Sequence, residues 1–177
     1  MPEHQPSLRP TRPEVLQAVA SPLGKRLRAL THLQYFYNGQ ADTDDCGNLQ
    51  WDCEDGSQVG MFLLSDGESV GADRCAMPVP SGFDLAPDAR CEWQARDLLL
   101  NLDASHLRDA TIVRLQGLID TWPTLGATTL SGFRICFDSG DFLVYYNRGD
   151  EAVALLNRLP PDKDDIVSHW QDVSCVR

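Results

Sequence analysis

Residues 105–122 read SHLRDATIVRLQGLIDTW, and in them Ile112, Leu115, Leu118, Ile119 and Trp122 recur at i, i+3 and i+4. That spacing lines five apolar side chains along one face of a helix. Pro123 follows at once and stops it. The period therefore predicts a central helix over 105–122, and the neighbouring segments are read outward from it.

Towards the N-terminus the same period returns. Pro13 suits the first position of a short helix with Val15, Leu16 and Val19 on one side. Ser21-Pro22 reads as a second helix start, followed by Leu23, Leu27, Leu30, Leu33 and Tyr37 at helical spacing and closed by Asn38-Gly39. Between these helices and the central one the period changes to two. Leu49–Cys53, Gln58–Leu64 and Glu68–Ala72 read as strands, separated by turns that contain Asp-Gly. The Pro-rich stretch from Met77 to Pro87 reads as a long surface connection. Over 88–102 strand and helix both remain open, because Trp93, Ala95 and Leu99 alternate while Leu98-Leu99-Leu100 also suits a buried helix.

Towards the C-terminus three runs, Phe133–Phe137, Phe142–Tyr146 and Ala152–Leu156, are joined by Gly-containing turns and predict an antiparallel meander. Pro160-Pro161 ends it, and 164–170 reads as a last helical turn that packs His169 or Trp170 on the sheet. The expected class is α+β: N-terminal helices packed on antiparallel β-hairpins, a central helix, and a C-terminal three-stranded meander. Residues 1–12 read as a flexible Pro-rich extension and 13–177 as one α+β domain. No internal repeat of useful length is visible; the two strand clusters share turn chemistry but not sequence.

Charge is the main functional clue. From Ala29 to Asp73 there is no Lys or Arg, yet nine carboxylates supply most of the net charge of -11. A localised negative field attracts cations and basic proteins and repels nucleic acid. No stretch approaches the roughly 18 apolar residues of a membrane span, and Met1–Pro13 lacks the apolar core of a secretory signal, so the expected compartment is the cytoplasm. The six cysteines are then expected to be free thiols, several of them buried.

Motifs for chemistry fail on inspection. Asp42-Thr43-Asp44-Asp45-Cys46-Gly47 begins like a calcium loop, but Cys46 and Cys53 stand where the fifth and twelfth ligands belong. No CxxC pair, GxSxG elbow or phosphate-binding glycine loop is present. Arg148-Gly149-Asp150 is explained by turn formation alone. The expectation is no enzyme, no cofactor and no metal.

The acid-rich loop, the Gly-Asp turns of the meander and the run Leu33-Gln34-Tyr35-Phe36-Tyr37-Asn38-Gly39 ahead of acidic strands resemble the immunity proteins that neutralise bacterial polymorphic toxins. The N-terminal half is faintly similar to their SUKH (Smi1/Knr4-like) group. The resemblance is one of type, so no functional residue is carried over. It implies binding of a cognate toxin, such as a nuclease, by occlusion of a basic active site.

The sequence reading is thus a domain that binds a cognate toxin or other basic protein, with no nucleic-acid or membrane partner. Asp42, Asp44, Asp45, Asp52, Glu54 and Asp55 steer and pair, and Trp51 anchors. One alternative is a small enzyme or ligand-binding domain with a pocket at the C-terminal meander, lined by Cys136 or Tyr146. Another is a structural or adaptor subunit of a larger assembly.

Overall fold

Strand alternation governs the chain far more widely than the sequence periods suggest. The computed structural model describes residues 12–174. It contains α1 (Arg12–Ala20), β1 (Leu27–Tyr37), β2 (Gln40–Ala41), β3 (Leu49–Cys53), β4 (Gln58–Leu63), β5 (Val70–Asp73), β6 (Phe83–Ala86), β7 (Ala89–Asp97), α2 (Leu98–Asn101), β8 (Ile112–Trp122), β9 (Ala127–Phe137), β10 (Phe142–Asn147), β11 (Ala152–Leu156) and β12 (Val167–Asp172). The strands form two antiparallel sheets. One has the order β5-β4-β3-β1-β7-β6, with β2 paired to β1, and the other the order β11-β10-β9-β8-β12. Leu30, Trp51 and Met61 from the first sheet meet Leu115, Phe133, Ile135 and Tyr145 from the second in one core. This is a β-sandwich-like fold, and the α+β expectation is corrected.

Both predicted long helices are strands. In β1 the register slips between Leu27 and Ala29, and in β8 between Ile112 and Arg114. Each bulge inserts one residue, so Leu27 and Leu30, like Ile112 and Leu115, share a face although they lie three apart. Leu33 and Leu118 are then buried on the opposite face. A bulge plus burial on both faces imitates the helical period. Asn38 and Gly39, expected to close a helix, have φ of 48° and 77° and make the two-residue turn between Tyr37 and Gln40. That is the positive-φ hairpin geometry Asn-Gly favours.

The remaining expectations divide. α1 forms as read, burying Val15, Ala18 and Val19. β3, β4, β10 and β11 form within a residue of their predicted bounds, the strand expected over Glu68–Ala72 is β5 (Val70–Asp73), and β9 begins six residues before the predicted Phe133. Residues 88–102 use both open readings in turn, strand β7 and then the short helix α2, which Asp97 caps by accepting a bond from the Leu100 amide. The surface connection is interrupted by β6, and the expected last helical turn is instead the edge strand β12 on β8. The extension expected over 1–12 lies outside the described residues apart from Arg12, which opens α1 and donates from Nη2 to Thr128 O and Oγ1 at 3.0 Å each. No helix among the described residues is long and apolar enough to cross a membrane.

The two sheets are built on one plan, although no internal repeat of useful length is visible in the sequence. Each begins with a central strand of 11 residues, β1 or β8. Each then lays three antiparallel strands to one side (β3, β4, β5 or β9, β10, β11) and returns a later strand to the first strand's other side (β7 or β12). This is a Greek-key-like return. The returning connection crosses the outer face in both. The Met77 amide donates to Gln50 Oε1 at 2.6 Å in one sheet, and Lys163 Nζ reaches buried Asp120 at 2.6 Å in the other.

Register matches residue for residue. Leu30↔Trp51 and Trp51↔Val59 correspond to Leu115↔Ile135 and Ile135↔Leu143, and Leu33↔Ala95 corresponds to Leu118↔Trp170. The halves meet where Arg26 bridges Thr111. There equivalent groups exchange bonds: Leu27 N to Ala110 O and Ile112 N to Lys25 O, both 2.9 Å. Glu54 N to Arg26 O and Asp138 N to Thr111 O are likewise both 2.9 Å. The chain is a pseudo-two-fold pair of half-sandwiches.

Candidate functional site

A cleft of about 390 Å³ opens between β1, the 42–46 loop, α2 and β11. Its volume is in the range of small-ligand and side-chain pockets. Inward-facing alternation along β1 places Leu30 in the core and His32 and Gln34 in the cleft. Thr43 and Asp44 stand exposed at its mouth with Asn101 of α2, and Leu98 and Ala152 give it an apolar wall.

His32 lies at the base, 2% exposed, with both ring nitrogens engaged. Nδ1–H donates to the Cys46 carbonyl at 2.9 Å, and Nε2 accepts from Asn101 Nδ2 at 2.7 Å. Burial pushes its pKa below the ordinary 6.5, outweighing the Cys46 bond that acts the other way, so the ring is neutral. The Cys46 thiol is pushed up to about 12 by burial and by the charge of Asp45. Tyr145 is raised well above its ordinary value by burial and donates to Gly47 O at 3.2 Å. A neutral, doubly bonded imidazole beside a protonated thiol supplies neither an activated base nor a nucleophile.

The loop is fixed by its own acids. Asp42 accepts from the Asp44 amide at 3.1 Å, and Asp45 Oδ1 accepts from the Gly47 amide at 2.8 Å and the Ala152 amide at 3.0 Å. The Asp45 bonds tie the 42–46 loop to the second sheet. Among the described residues, no Lys or Arg side chain forms an ion pair with Asp42, Asp44 or Asp45; Arg148 reaches only the Asp44 backbone carbonyl, at 3.4 Å, while its ion pair is with Glu151.

The other acids expected at the site are elsewhere. Asp52, Glu54 and Asp55 sit at the far end of β3, on the order of 15 Å away at 3.3 Å per residue. Glu54 pairs with Arg26 at 3.4 Å and Asp55 with Lys25 at 2.9 Å, while Asp52 accepts from the Gln50 and Gln58 amides. The single acidic face is therefore two ends, one held in ion pairs and one not. Trp51 is corrected outright as an anchor: it is 0% exposed and stacks on Phe137 at 6.4 Å between centroids. Cys136 and Tyr146 face outward from the second sheet, away from the cleft, which touches the meander only through β11. Of the cysteines, the five described are unpaired, with Cys53 and Cys91 buried; Cys175 lies outside the described residues.

His32, Gln34 and Asn101 were not singled out by the sequence. Their signal is a polar pair at alternate inward positions of β1, legible only once 27–37 is known to be a strand. The pseudo-two-fold shows that the fold does not require them. At the equivalent places the other half has Gly117 for His32, Leu16 for Asn101 and Leu130 for Cys46. A Cβ on Gly117 would meet Leu130 Cδ1 at 2.8 Å and Leu16 Cδ2 at 3.3 Å. One half covers the base of this position with leucines and the other with polar groups; a cleft opens in both, the leucine-based one about 280 Å³ and lined by Arg12, Asp66, Ser69, Thr128 and Thr129.

The neutral His32 has a measurable consequence. Its folded pKa lies below the unfolded value, so the stability it contributes is present above about pH 6.5 and is lost as pH falls through the folded value. Asp141 and Asp172, held low by Asn157 and by Arg114 respectively, behave alike in the carboxylate range, with stability lost only below an ordinary value of 3.8. Urea midpoints followed from pH 8 to 2 are expected to begin falling below about pH 6.5, an upper window, and to fall further below about 3.8. The upper window should vanish in His32→Gln; its persistence there would assign it to another group.

Compared with protein-family models, characterised proteins and solved structures, the chain matches none.

Proposed function

We propose that this β-sandwich binds a basic protein partner without turning it over, and that the contact is made by the rim of the cleft. The observation that carries this reading is the exposed pair Asp42 and Asp44, unpaired with any cation among the described residues, beside a cleft whose histidine and cysteine are chemically quiet. Carboxylates held in no ion pair speed encounter with a cationic surface, and a cleft whose described histidine and cysteine are quiet favours occlusion over catalysis. Together with the resemblance of type to immunity proteins, this supports a cytoplasmic inhibitor of a cognate bacterial toxin, such as a nuclease whose basic active site it covers.

The binding roles narrow accordingly. Asp45 shapes the loop, Asp52, Glu54 and Asp55 are held at the other end, and Asp42 and Asp44 do the steering. Affinity capture from cells of the native host, using the full chain as bait, tests this. The expected result is one stoichiometric basic protein, weakened at about 0.5 M salt, where the screening length shrinks to roughly 4 Å. Asp42→Lys with Asp44→Lys should abolish capture, while Glu54→Lys should change it little. Equal capture by the Asp42/Asp44 double variant and the native chain would sink the rim assignment.

A further inference from the structure

We infer that the cleft over His32 is a receptor for a guanidinium group, the side chain of an arginine on the bound partner; this rests on the protein-binding reading above. The inference comes from how the lining polar groups are spent. Asn101 commits Nδ2 to His32 Nε2, and Gln34 commits Nε2 to the backbone carbonyls of Tyr35 and Asp42. His32 commits its only N–H to Cys46 O. Most of the side-chain amide donors are thus turned inward, with one Asn101 N–H left over. Left among the lining residues are the acceptors Asn101 Oδ1, Gln34 Oε1 and the Asp44 carboxylate, with the Thr43 hydroxyl able to accept or donate, and none of them receives a hydrogen bond from another described residue.

A lining with acceptors and few donors selects a ligand with the opposite inventory. Guanidinium is that group: five N–H donors in a plane, a fixed positive charge and no acceptor. Its aliphatic stem has a place as well, against Leu98 and Ala154. A phosphate or carboxylate ligand is disfavoured by the same lining, since it would face the Asp44 charge. At the equivalent place in the other half Leu16 and Leu130 cover Gly117, and a cleft of about 280 Å³ beside them is lined by Arg12 with Asp66, Ser69, Thr128 and Thr129. The topology thus leaves a cleft in both halves, and the one over His32 differs in having no cationic side chain in its lining.

The test is a nuclear magnetic resonance titration of the full chain with butylguanidinium, using butylurea as the neutral probe of the same shape. Butylguanidinium is expected to give saturable shifts at His32, Asn101 and Ala154, with a dissociation constant on the order of 1–10 mM. Butylurea should bind at least about ten-fold more weakly, and Asp44→Asn should weaken butylguanidinium by a similar factor. Two closures of the cleft should abolish the shifts. One transplants the other half's residues (His32→Gly, Cys46→Leu, Asn101→Leu), and the second, Ala154→Leu, plugs it from the opposite wall with a single added branch. An equal response to butylurea, or shifts scattered over surface acids with no set in the cleft, overturns the inference. The two readings separate cleanly. If Ala154→Leu leaves partner capture intact while Asp42→Lys with Asp44→Lys removes it, the rim contact stands and the arginine receptor falls. Saturable cleft binding by butylguanidinium with no basic protein captured overturns the partner's arginine as the source and leaves a site for small cations.

Discussion

Trp51→Ala is expected to cost about 3–5 kcal/mol, the usual range for truncating a large buried aromatic. That is a large share of the roughly 5–15 kcal/mol by which a domain of this size is stable. Trp51 lies in the middle of β3, fully buried, in register with Leu30 on one side and Val59 on the other, and stacked on Phe137 from the facing sheet. Removing the indole opens a cavity at the seam between the half-sandwiches, where neither sheet can collapse without shifting the other. The urea midpoint should drop sharply with the slope unchanged. Trp51→Phe should be far milder, under about 1.5 kcal/mol, because it keeps most of the packing. It also deletes the indole N–H, a buried donor that finds no partner among the described residues. An alanine variant with a native midpoint and lost partner capture would restore Trp51 as a surface anchor and contradict its burial.

The sequence was most readable where strands alternate strictly and turns carry glycine. Trp51, Cys53, Phe133 and Ile135 fell on predicted strands, and Gly56 and Gly140 on predicted turns, with φ of 83° and 91°. It misled where a bulge met burial on both faces. Arg28 and Val113 are each the extra residue that shifts parity, and nothing about an arginine or a valine announces a bulge. Leu33 and Leu118 then look like a third helical turn, because a single sequence does not show that connections from elsewhere in the chain cover the outer faces. The same error hid the repeat. Leu27, Leu30, Leu33 and Tyr37 match Ile112, Leu115, Leu118 and Trp122 position by position, yet both sets pass as generic amphipathic helices. The acids were easy to see, but their pairing was not. Glu54 and Asp55 find Arg26 and Lys25, which lie just before the cation-free stretch and fold back onto its middle. The cleft was the least legible feature, since its base comes from β1, its mouth from the 42–46 loop and α2, and its wall from β11.

The loop's hold on the cleft rests on one backbone position, and Gly47→Ala is expected to break it. Gly47 has φ of 66°, and a Cβ there would sit 2.1 Å from the Leu33 carbonyl oxygen. That oxygen belongs to the central strand β1, paired on both sides, and it cannot yield by rotating a side chain. The equivalent position in the other half, at a register slip in β9, carries Ser131, which is not at positive φ; only this half needs the glycine. The substitution combines left-handed strain with a backbone clash, worth about 3 kcal/mol or more if the loop stayed in place. The loop has a cheaper route, which is to lift. Lifting releases the Asp45 bonds to the Gly47 and Ala152 amides, the Tyr145 hydroxyl bond to Gly47 O and the Cys46 carbonyl from His32. Global stability should therefore fall by less than the full clash, about 1–3 kcal/mol for the polar groups left unpaired, while butylguanidinium shifts and partner capture disappear together. Amide exchange separates the cases: the Cys46 and Gly47 amides should lose protection while those of β9 and β10 keep theirs. Undisturbed protection at Cys46 with native capture would mean that the loop tolerates a side chain at this position, and that the cleft does not depend on its seating.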